Sequence, residues 1–496
     1  MKRKWAALLA SCSFFIGAGS TYTGLKIWDQ QAPQESQVPN QKAKGAGDSS
    51  YKLPDELHKV EAVYELISKK YVEKVDSGQL VEGAINGMLA SLRDPYSVYM
   101  DAETAHQFND SLDSAFEGIG AEITVKNGKL FIVSPLKDSP AEKAGLKPND
   151  QIIKVNGENV EGLDLYKATK KIRGRKGTAV LLEVRREGAA KPMIVKVKRD
   201  EIPIQTVYGK VKQEHGKPLG YIEITSFSDQ TGKDFKRKLK QLEEEHIQGL
   251  VLDVRGNPGG LLSSVEEILK ELIPNHKPYL QIEERSGKKV PYYSSKKRAK
   301  PYPIAVLIDA GSASASEILA AALKEAGGYT LIGQKTFGKG TVQQAVPLSD
   351  GSNIKLTTYK WLTPDGNWIH HKGIEPNIVV KQPDFFHVHP LQIAKPLKKD
   401  MNSDQVKNAQ EMLDGLGYAP GRTDGYFSDQ TEKAVRAFQM ENRLNPSGQV
   451  DHKTAQILEA KIMEAMKMDQ NDLQLKVALK VVSSDEKRGA HTKQYR

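Results

Sequence analysis

The sequence predicts a multidomain α/β protein: an N-terminal helical region, a β-rich domain, an α/β core and a C-terminal three-helix unit. Three observations carry this. The 496 residues exceed what one hydrophobic core supports. The apolar pattern changes period along the chain, first helical, then strand-like, then mixed, then helical again. In the mixed part, the apolar runs Gly249–Val254, Ile304–Ile308 and Thr330–Gly333 alternate with helical stretches. Strand, helix and strand in that order imply parallel crossovers.

At the N-terminus, Lys2, Arg3 and Lys4 precede a mostly apolar run from Trp5 to Trp28, broken by small polar residues and Lys26. A positive end before a run of this length reads as a signal anchor or signal peptide over 1–28, with the bulk of the chain outside the cytoplasm. No small-x-small cleavage site follows, which favours an anchor that stays in the membrane. Leu9-Ala10-Ser11-Cys12 has the form of a lipoprotein cleavage box, but the apolar stretch before Cys12 is very short, and a buried cysteine is the simpler reading. Residues 29–52, rich in Gln, Pro, Ser, Gly and Lys, read as a flexible linker.

Residues 53–112 read as helical. Leu57, Val60, Val63, Tyr64, Ile67 and Tyr71 recur at helical spacing, and a second helix from Leu80 to Leu92 ends at Asp94-Pro95. An apolar helical pair beside a membrane packs on its own domain or on a partner subunit, so a homodimer is expected here. Residues 113–200 are β-rich, with strands predicted at Ala121–Val125, Lys129–Val133, Gln151–Val155, Ala179–Arg185 and Met193–Arg199. Helices are predicted at Pro140–Ala144 and Leu163–Ile172, the first ending at Gly145. Residues 201–392 form the α/β core, 400–465 a helical unit, and 466–496 a helix end and a basic tail.

The net charge of +10 is spread along the chain, and no basic stripe is interleaved with aromatics, so nucleic acid is not an expected partner. An anionic membrane or wall polymer fits that charge. The single Cys12 excludes an internal disulfide and any cysteine-based metal site. The 11 histidines show no His-Glu-x-x-His pattern, and the adjacent His370 and His371 would point to opposite faces of a strand. No metal site is expected.

The chemistry concentrates in two runs. Asp309 to Ile318 reads Asp-Ala-Gly-Ser-Ala-Ser-Ala-Ser-Glu-Ile, ending a buried strand and opening an Ala-rich helix. Gln334 to Gln343 reads Gln-Lys-Thr-Phe-Gly-Lys-Gly-Thr-Val-Gln and sets Lys339 between two glycines. A serine hydroxyl needs a base beside it. No histidine lies near either run, and lysine serves if burial or positive potential lowers its pKa from about 10.4 toward ~7–8. At a helix start, Ser314 has free amides facing the reacting carbonyl. The Ala315 amide is one oxyanion donor, and the Gly259-Gly260 strand end supplies the second. Gln343 is the candidate to orient Lys339. An extended strand would separate them by ~13 Å, so the chain must bend, as Gly340 permits. Ser312 and Ser316 are rival nucleophiles on this evidence. The bland alternative is a capped helix start and a surface lysine in a glycine turn.

The block from Gly311 to Gln343 resembles the carboxy-terminal processing (tail-specific) serine proteases. Their signature pairs Ser-Ala-Ser-Ala-Ser-Glu-Ile with Thr-Phe-Gly-Lys-Gly-x-Val-Gln, the serine 25 residues before the lysine. The resemblance therefore selects Ser314 over its rivals, Lys339 as base and Gln343 as its partner. It assigns an oxyanion amide to the Arg255–Gly260 turn. It extends from about residue 55 to 390, through Leu92-Arg-Asp-Pro-Tyr-Ser97, and implies a crotonase-like α/β spiral with no metal or cofactor. Gly327-Gly328 departs from the Arg-Ala of many members, at a helix end remote from the chemistry.

Phe116-Glu-Gly-Ile-Gly120 before a β-rich segment resembles a PDZ domain, which implies that Gly118, Ile119 and Gly120 capture a peptide carboxylate and that substrates carry free apolar C-terminal tails. Arg173, at the predicted end of the second PDZ helix, is a candidate gate that bridges to the catalytic domain. Residues 403–460 resemble the peptidoglycan-binding helical domain through Leu416-Gly-Tyr-x-Pro-Gly421, Thr423-Asp-Gly-Tyr-Phe427 and Ala434-Val-x-x-Phe-Gln439, which implies peptidoglycan as a partner. The expected function is that of a PDZ-gated extracytoplasmic serine endopeptidase, with a membrane-linked regulator in sporulation as a candidate substrate. The rival is a non-catalytic PDZ scaffold tethering membrane and wall.

Overall fold

Helical spacing of apolar residues gives α1 (Leu57–Lys70), and an Asp76 side chain accepting from Gln79 N starts α2 (Ser77–Ser91). The computed structural model describes residues 56–484, apart from 111, 114, 127 and 187–190. The segments read as an anchor or signal peptide (1–28) and as a linker (29–52), and the basic end from 485, lie outside the described residues. No described helix is long and apolar enough to cross a membrane. Neither α1 nor α2 buries a residue, and Val60, Val63, Leu66, Val81 and Met88 are exposed. The Asp94–Ser97 turn then leads into β1 (Val98–Met100) and α3 (Ala102–Asp110), which buries Ala105 and Phe108.

The β-rich domain follows. Its strands are β2 (Ala115–Gly118), β3 (Ala121–Lys126), β4 (Lys129–Pro135), β5 (Gln151–Val155), β6 (Glu158–Asn159), β7 (Ala179–Arg185), β8 (Met193–Lys198) and β9 (Asp200–Pro203). The helices α4 (Pro140–Lys143) and α5 (Leu165–Ile172) interrupt them. The main sheet runs β3-β4-β5-β7-β8, antiparallel throughout, with β6 on β5. Alternate residues Val180, Leu182 and Val184 fill its core with Leu130, Ile132 and Ile152. β2 pairs with β9, tying the domain's entry to its exit.

Two sheets build the α/β core. Its elements are β10 (Val207–Glu214), β11 (Lys217–Ile224), α6 (Thr231–Glu244), β12 (Leu250–Asp253), α7 (Leu262–Leu272), β13 (Leu280–Glu283), β14 (Lys289–Tyr292), β15 (Ile304–Ile308), α8 (Ala315–Glu325), β16 (Thr330–Gly333), β17 (Thr341–Pro347), β18 (Asn353–Leu362) and β19 (Ile378–Val379). The first sheet runs β10-β11-β12-β15-β16-β19 and is parallel from β11 onward, as the crossovers require. The second, antiparallel sheet runs β1-β18-β13-β14, with β17 on β18.

The C-terminal unit packs α9 (Asp404–Gly415), α10 (Asp429–Glu441) and α11 (His452–Met466) around Val406, Leu413, Val435, Phe438 and Leu458. Ser403, Ser428 and Asp451 cap these helices, each accepting from the amide three residues on. The pattern over 466–496 predicts a helix end and a basic tail. In the structure α12 (Leu473–Ser483) returns to the core. Central parallel strands bury both faces and need a layer on each. Leu250, Leu252, Val306 and Ile308 face α6, α7 and α8 in one cluster, while Val251, Ala305, Leu307 and Ile332 pack with Leu475, Ala478, Leu479 and Val482 of α12 in another. The second layer thus comes from far downstream, beyond the reach of local pattern.

Candidate active site

β15 is buried at every position and delivers the chain to Asp309, whose Oδ1 accepts from the amides of Gly256, Gly311 and Ser312. This binds the Arg255–Gly260 turn to the start of α8. Asn257 completes the joint. Its Nδ2 donates to Ile224 O, its Oδ1 accepts from Gly259 N, and its carbonyl accepts from Ser316 Oγ and Ala313 N. Ser312 Oγ donates to Val254 O. Two of the three serines are therefore occupied as scaffolding. The third, Ser314, sits at the N-cap of α8 with φ 53° and ψ −111°, a conformation that costs a non-glycine residue roughly 1–3 kcal/mol. The surrounding bonds hold it there.

The glycine turn lies against this serine. A Cβ on Gly259 would stand 3.0 Å from Ser314 Cβ and 3.1 Å from Ala315 N. Gly260, at φ 143°, has Phe227 O where a Cβ would be, at 2.1 Å, so only glycine fits. The Gly259 amide is taken by Asn257 Oδ1, whereas no bond to a described residue is seen from the Gly260 or Ala315 amide.

Glu317 joins the serine to the lysine. This carboxylate is fully buried. Its Oε1 accepts from Thr336 Oγ1 at 2.6 Å and Gly338 N at 2.7 Å, and its Oε2 from Ser314 N at 2.9 Å and Lys339 N at 2.8 Å. Burial raises its pKa against these four bonds. Gly338 and Gly340 let the lysine segment fit between Glu317 and the 368–373 loop. A Cβ on Gly338 would meet Gly373 N at 2.9 Å. Trp361 Nε1 donates to Lys339 O, and Trp368 Nε1 to Gly340 O.

Lys339 itself is 5 % exposed. Burial, helped by the positive charge of Lys355, brings its pKa down to about 7, while Asp94 and Glu317 pull the other way. Its Nζ lies 4.7 Å from the Tyr96 ring centre. Gln343 is buried on β17, whose pairing with β18 shifts register between Val342 and Gln343. Its Nε2 donates to Thr341 Oγ1 at 2.9 Å and Thr357 Oγ1 at 3.1 Å. A cavity of about 810 Å³ opens beside the site, lined by Asp94, Pro95, Thr341, Thr357, Trp368 and His370. His370 and His371 do not point to opposite faces of a strand. They lie in a turn, with ring centres 3.9 Å apart.

Residues 218–380, which hold Asn257, Gly259, Gly260, Ser314, Glu317, Lys339 and Gln343, match the pattern of peptidase family S41. The chain is 54 % identical over 480 residues to the carboxy-terminal processing protease CtpB of Bacillus subtilis (strain 168), covering 97 % of this chain and 99 % of that one. The chain belongs to peptidase family S41. It is a carboxy-terminal processing serine peptidase of the CtpB-like type. A second relative, the carboxy-terminal processing protease CtpA of the same strain, is 42 % identical over 91 % of this chain and 94 % of its own. Among solved structures, a photosystem II D1 C-terminal processing protease aligns at 26 % identity over 66 % of this chain and 94 % of its own, with TM-score 0.40. Residues 14–104 match an activating protease CtpB N-terminal domain, 131–186 a PDZ domain, and 402–458 a putative peptidoglycan binding domain.

In this S41 peptidase, Gly118 closes β2, Ile119 is buried in the PDZ core, and Gly120 abuts Ser139 and Ile202. Arg173 caps the end of α5. Its partner is Asp110 of α3, at 3.0 Å, and its guanidinium stands 4.9 Å from the Phe116 ring centre. It therefore reaches the helical segment beside the core rather than the core itself. Sequence reasoning did not single out Glu317, Asn257, Asp94, Thr357 or Lys355. Glu317 had a signal, since Ser-x-x-Glu at a helix start is a capping-box pattern. Asn257 and Asp94 lie in the Arg255–Gly260 and Leu92–Ser97 runs that carry the resemblance, with no role read for either, while Thr357 and Lys355 are brought in by strand pairing alone.

Proposed function

We propose that this S41 peptidase cleaves its substrates with a Ser314–Lys339 dyad. Neutral Lys339 Nζ takes the Ser314 Oγ proton as Oγ attacks the scissile carbonyl carbon. The Ala315 and Gly260 amides receive the oxyanion, with Gly259 supporting the turn through Asn257. The lysine ammonium then returns the proton to the departing amine. A water, deprotonated by Lys339, releases the acyl group and restores the serine. Gln343 orients the lysine. The observation that carries this reading is the Glu317 carboxylate, which binds the Ser314 and Lys339 amides together beside a lysine held near neutrality at pH 7. Wild type, Ser314→Ala and Lys339→Ala, incubated with an unstructured protein, test it. Degradation by wild type alone supports the dyad, and equal degradation by all three refutes it.

Substrate tails, in this reading, add to β3 of the PDZ domain with their carboxylate on Gly118–Gly120, and Arg173 couples that event to the core through Asp110. The N-terminal apolar run anchors the enzyme in the membrane, and the 402–458 domain holds peptidoglycan. A second copy covers the exposed apolar residues of α1 and α2. Membrane-linked regulators, as in sporulation, are the substrates that this arrangement of domains would reach.

A further inference from the structure

A turn from outside the S41 core reaches the catalytic lysine. Asp94 Oδ1 accepts from Tyr96 N at 3.0 Å, and Oδ2 from Ser97 Oγ at 2.6 Å. The Thr357 hydroxyl on β18 bonds to the same carboxylate, while the Thr357 amide donates to Ser97 Oγ at 3.0 Å. Thr357 Oγ1 also meets Gln343 Nε2 at 3.1 Å. An unbroken hydrogen-bonded path therefore runs from Asp94 through Thr357 to Gln343. Its polarity is fixed at one end. A carboxylate only accepts, so the Thr357 hydroxyl has to donate to Asp94. That leaves its oxygen to accept, and only the NH2 side of the Gln343 amide can donate to it. Without this constraint, a glutamine between two threonine hydroxyls could sit either way round.

We propose that Asp94, contributed by the N-terminal helical region, is a positioning residue for catalysis: through Thr357 it fixes the Gln343 amide with its carbonyl oxygen, not its NH2, turned to Lys339. Tyr96, two residues on, sets its ring centre 4.7 Å from Lys339 Nζ. This rests on the reading of Lys339 as base, since an ammonium needs an acceptor. The charged and titratable groups around Lys339 are Asp94 and Tyr96 from the turn, Glu317 from α8, Lys355 from β18 and His370 from the 368–373 loop. Bonds from Ser97, Thr357 and the Tyr96 amide outweigh burial and keep Asp94 ionised.

The test is steady-state cleavage by the full chain across pH, using wild type, Asp94→Asn, Thr357→Val and Thr357→Ser. One misdirected hydrogen bond in a buried site predicts a kcat loss of roughly 10- to 100-fold in Asp94→Asn and Thr357→Val, with KM within about threefold. Thr357→Ser keeps the hydroxyl and restores most of kcat. Asp94→Asn also removes a charge that favours the ammonium, so the acid limb of its kcat profile moves to lower pH. Thr357→Val keeps that charge and shows no such downward move. Wild-type kcat and pH profile in both variants, or a Thr357→Ser as impaired as Thr357→Val, overturns the proposal. Ser314→Ala and Lys339→Ala run beside them: if these remain active, the dyad itself has failed. Should Asp94→Asn not fold, the Thr357 pair decides.

Discussion

Replacing Glu317 by Gln preserves the side chain's shape but turns one acceptor oxygen into a donor. If the NH2 takes the Oε2 place, it faces the Ser314 and Lys339 amides, both of which lose their acceptor. If it takes the Oε1 place, the Gly338 amide is stranded, and Thr336 Oγ1 must turn away from it while still accepting from Ile374 N. Glu317 is fully buried, so water cannot substitute. A hydrogen bond to a charged acceptor contributes about 1.5–3 kcal/mol, and one or two are lost, giving roughly 2–6 kcal/mol. Against a total stability of about 5–15 kcal/mol, that is severe, equivalent to roughly 4–24 °C in Tm for a core of this size. Loosening the Ser314–Lys339 joint by about 1 Å costs on the order of 100-fold in rate. Calorimetry of the full chain and turnover of an unstructured protein give both numbers. A Glu317→Gln protein with Tm within about 2 °C of wild type and kcat within about twofold refutes the argument that this carboxylate joins the two segments.

With the Lys339 pKa at about 7, kcat rises with pH through an inflection near 7 and falls about tenfold per unit below it; a flat profile from pH 5 to 9 contradicts a lysine base. The depressed folded-state pKa also means that the unfolded chain binds more protons between about 7 and 10.5, so this group's contribution to stability rises with pH across that window. Lys339→Met removes the cost of holding an amine dry, and should be inactive yet more heat-stable than wild type at pH 7, by differential scanning calorimetry. Truncation after residue 470 removes Leu475, Leu479 and Val482 from the sheet, at about 1.5–3 kcal/mol each, together with Asp472, which binds Arg255 of the glycine turn at 2.7 Å. The shortened chain should fail to fold, as circular dichroism would show. Arg173→Ala and Asp110→Ala should lower tail-dependent cleavage to the same extent, with the double variant no worse than either; additive losses would break the proposed coupling.

Most of the core was readable because parallel strands buried on both faces must be continuous apolar runs: Ile304–Ile308 and Thr330–Gly333 occur as predicted, residue for residue. The PDZ strands Gln151–Val155 and Ala179–Arg185 were equally plain, since alternation and turn residues bound them. The Ser314 and Lys339 runs were legible because glycines beside a lysine and small residues at a helix start are chemically unusual. Less could be read where partners lie far apart. Asp94 meets Thr357 across more than 250 residues, and α12 meets β12 across more than 200, distances at which no local period carries information. The histidine pair failed for a local reason. His370 and His371 occupy a turn that wraps the lysine segment, and turn backbone does not alternate its side chains.

The central claim is that Lys339 activates Ser314. A fluorophosphonate bonds covalently to an activated serine, so intact mass and peptide mapping of the treated full chain read the claim without any substrate. The account predicts one adduct, on Ser314, formed at a rate that climbs with pH through about 7, and essentially none in Lys339→Ala. An adduct on Ser312 or Ser316, or labelling of Lys339→Ala at the wild-type rate, would contradict it.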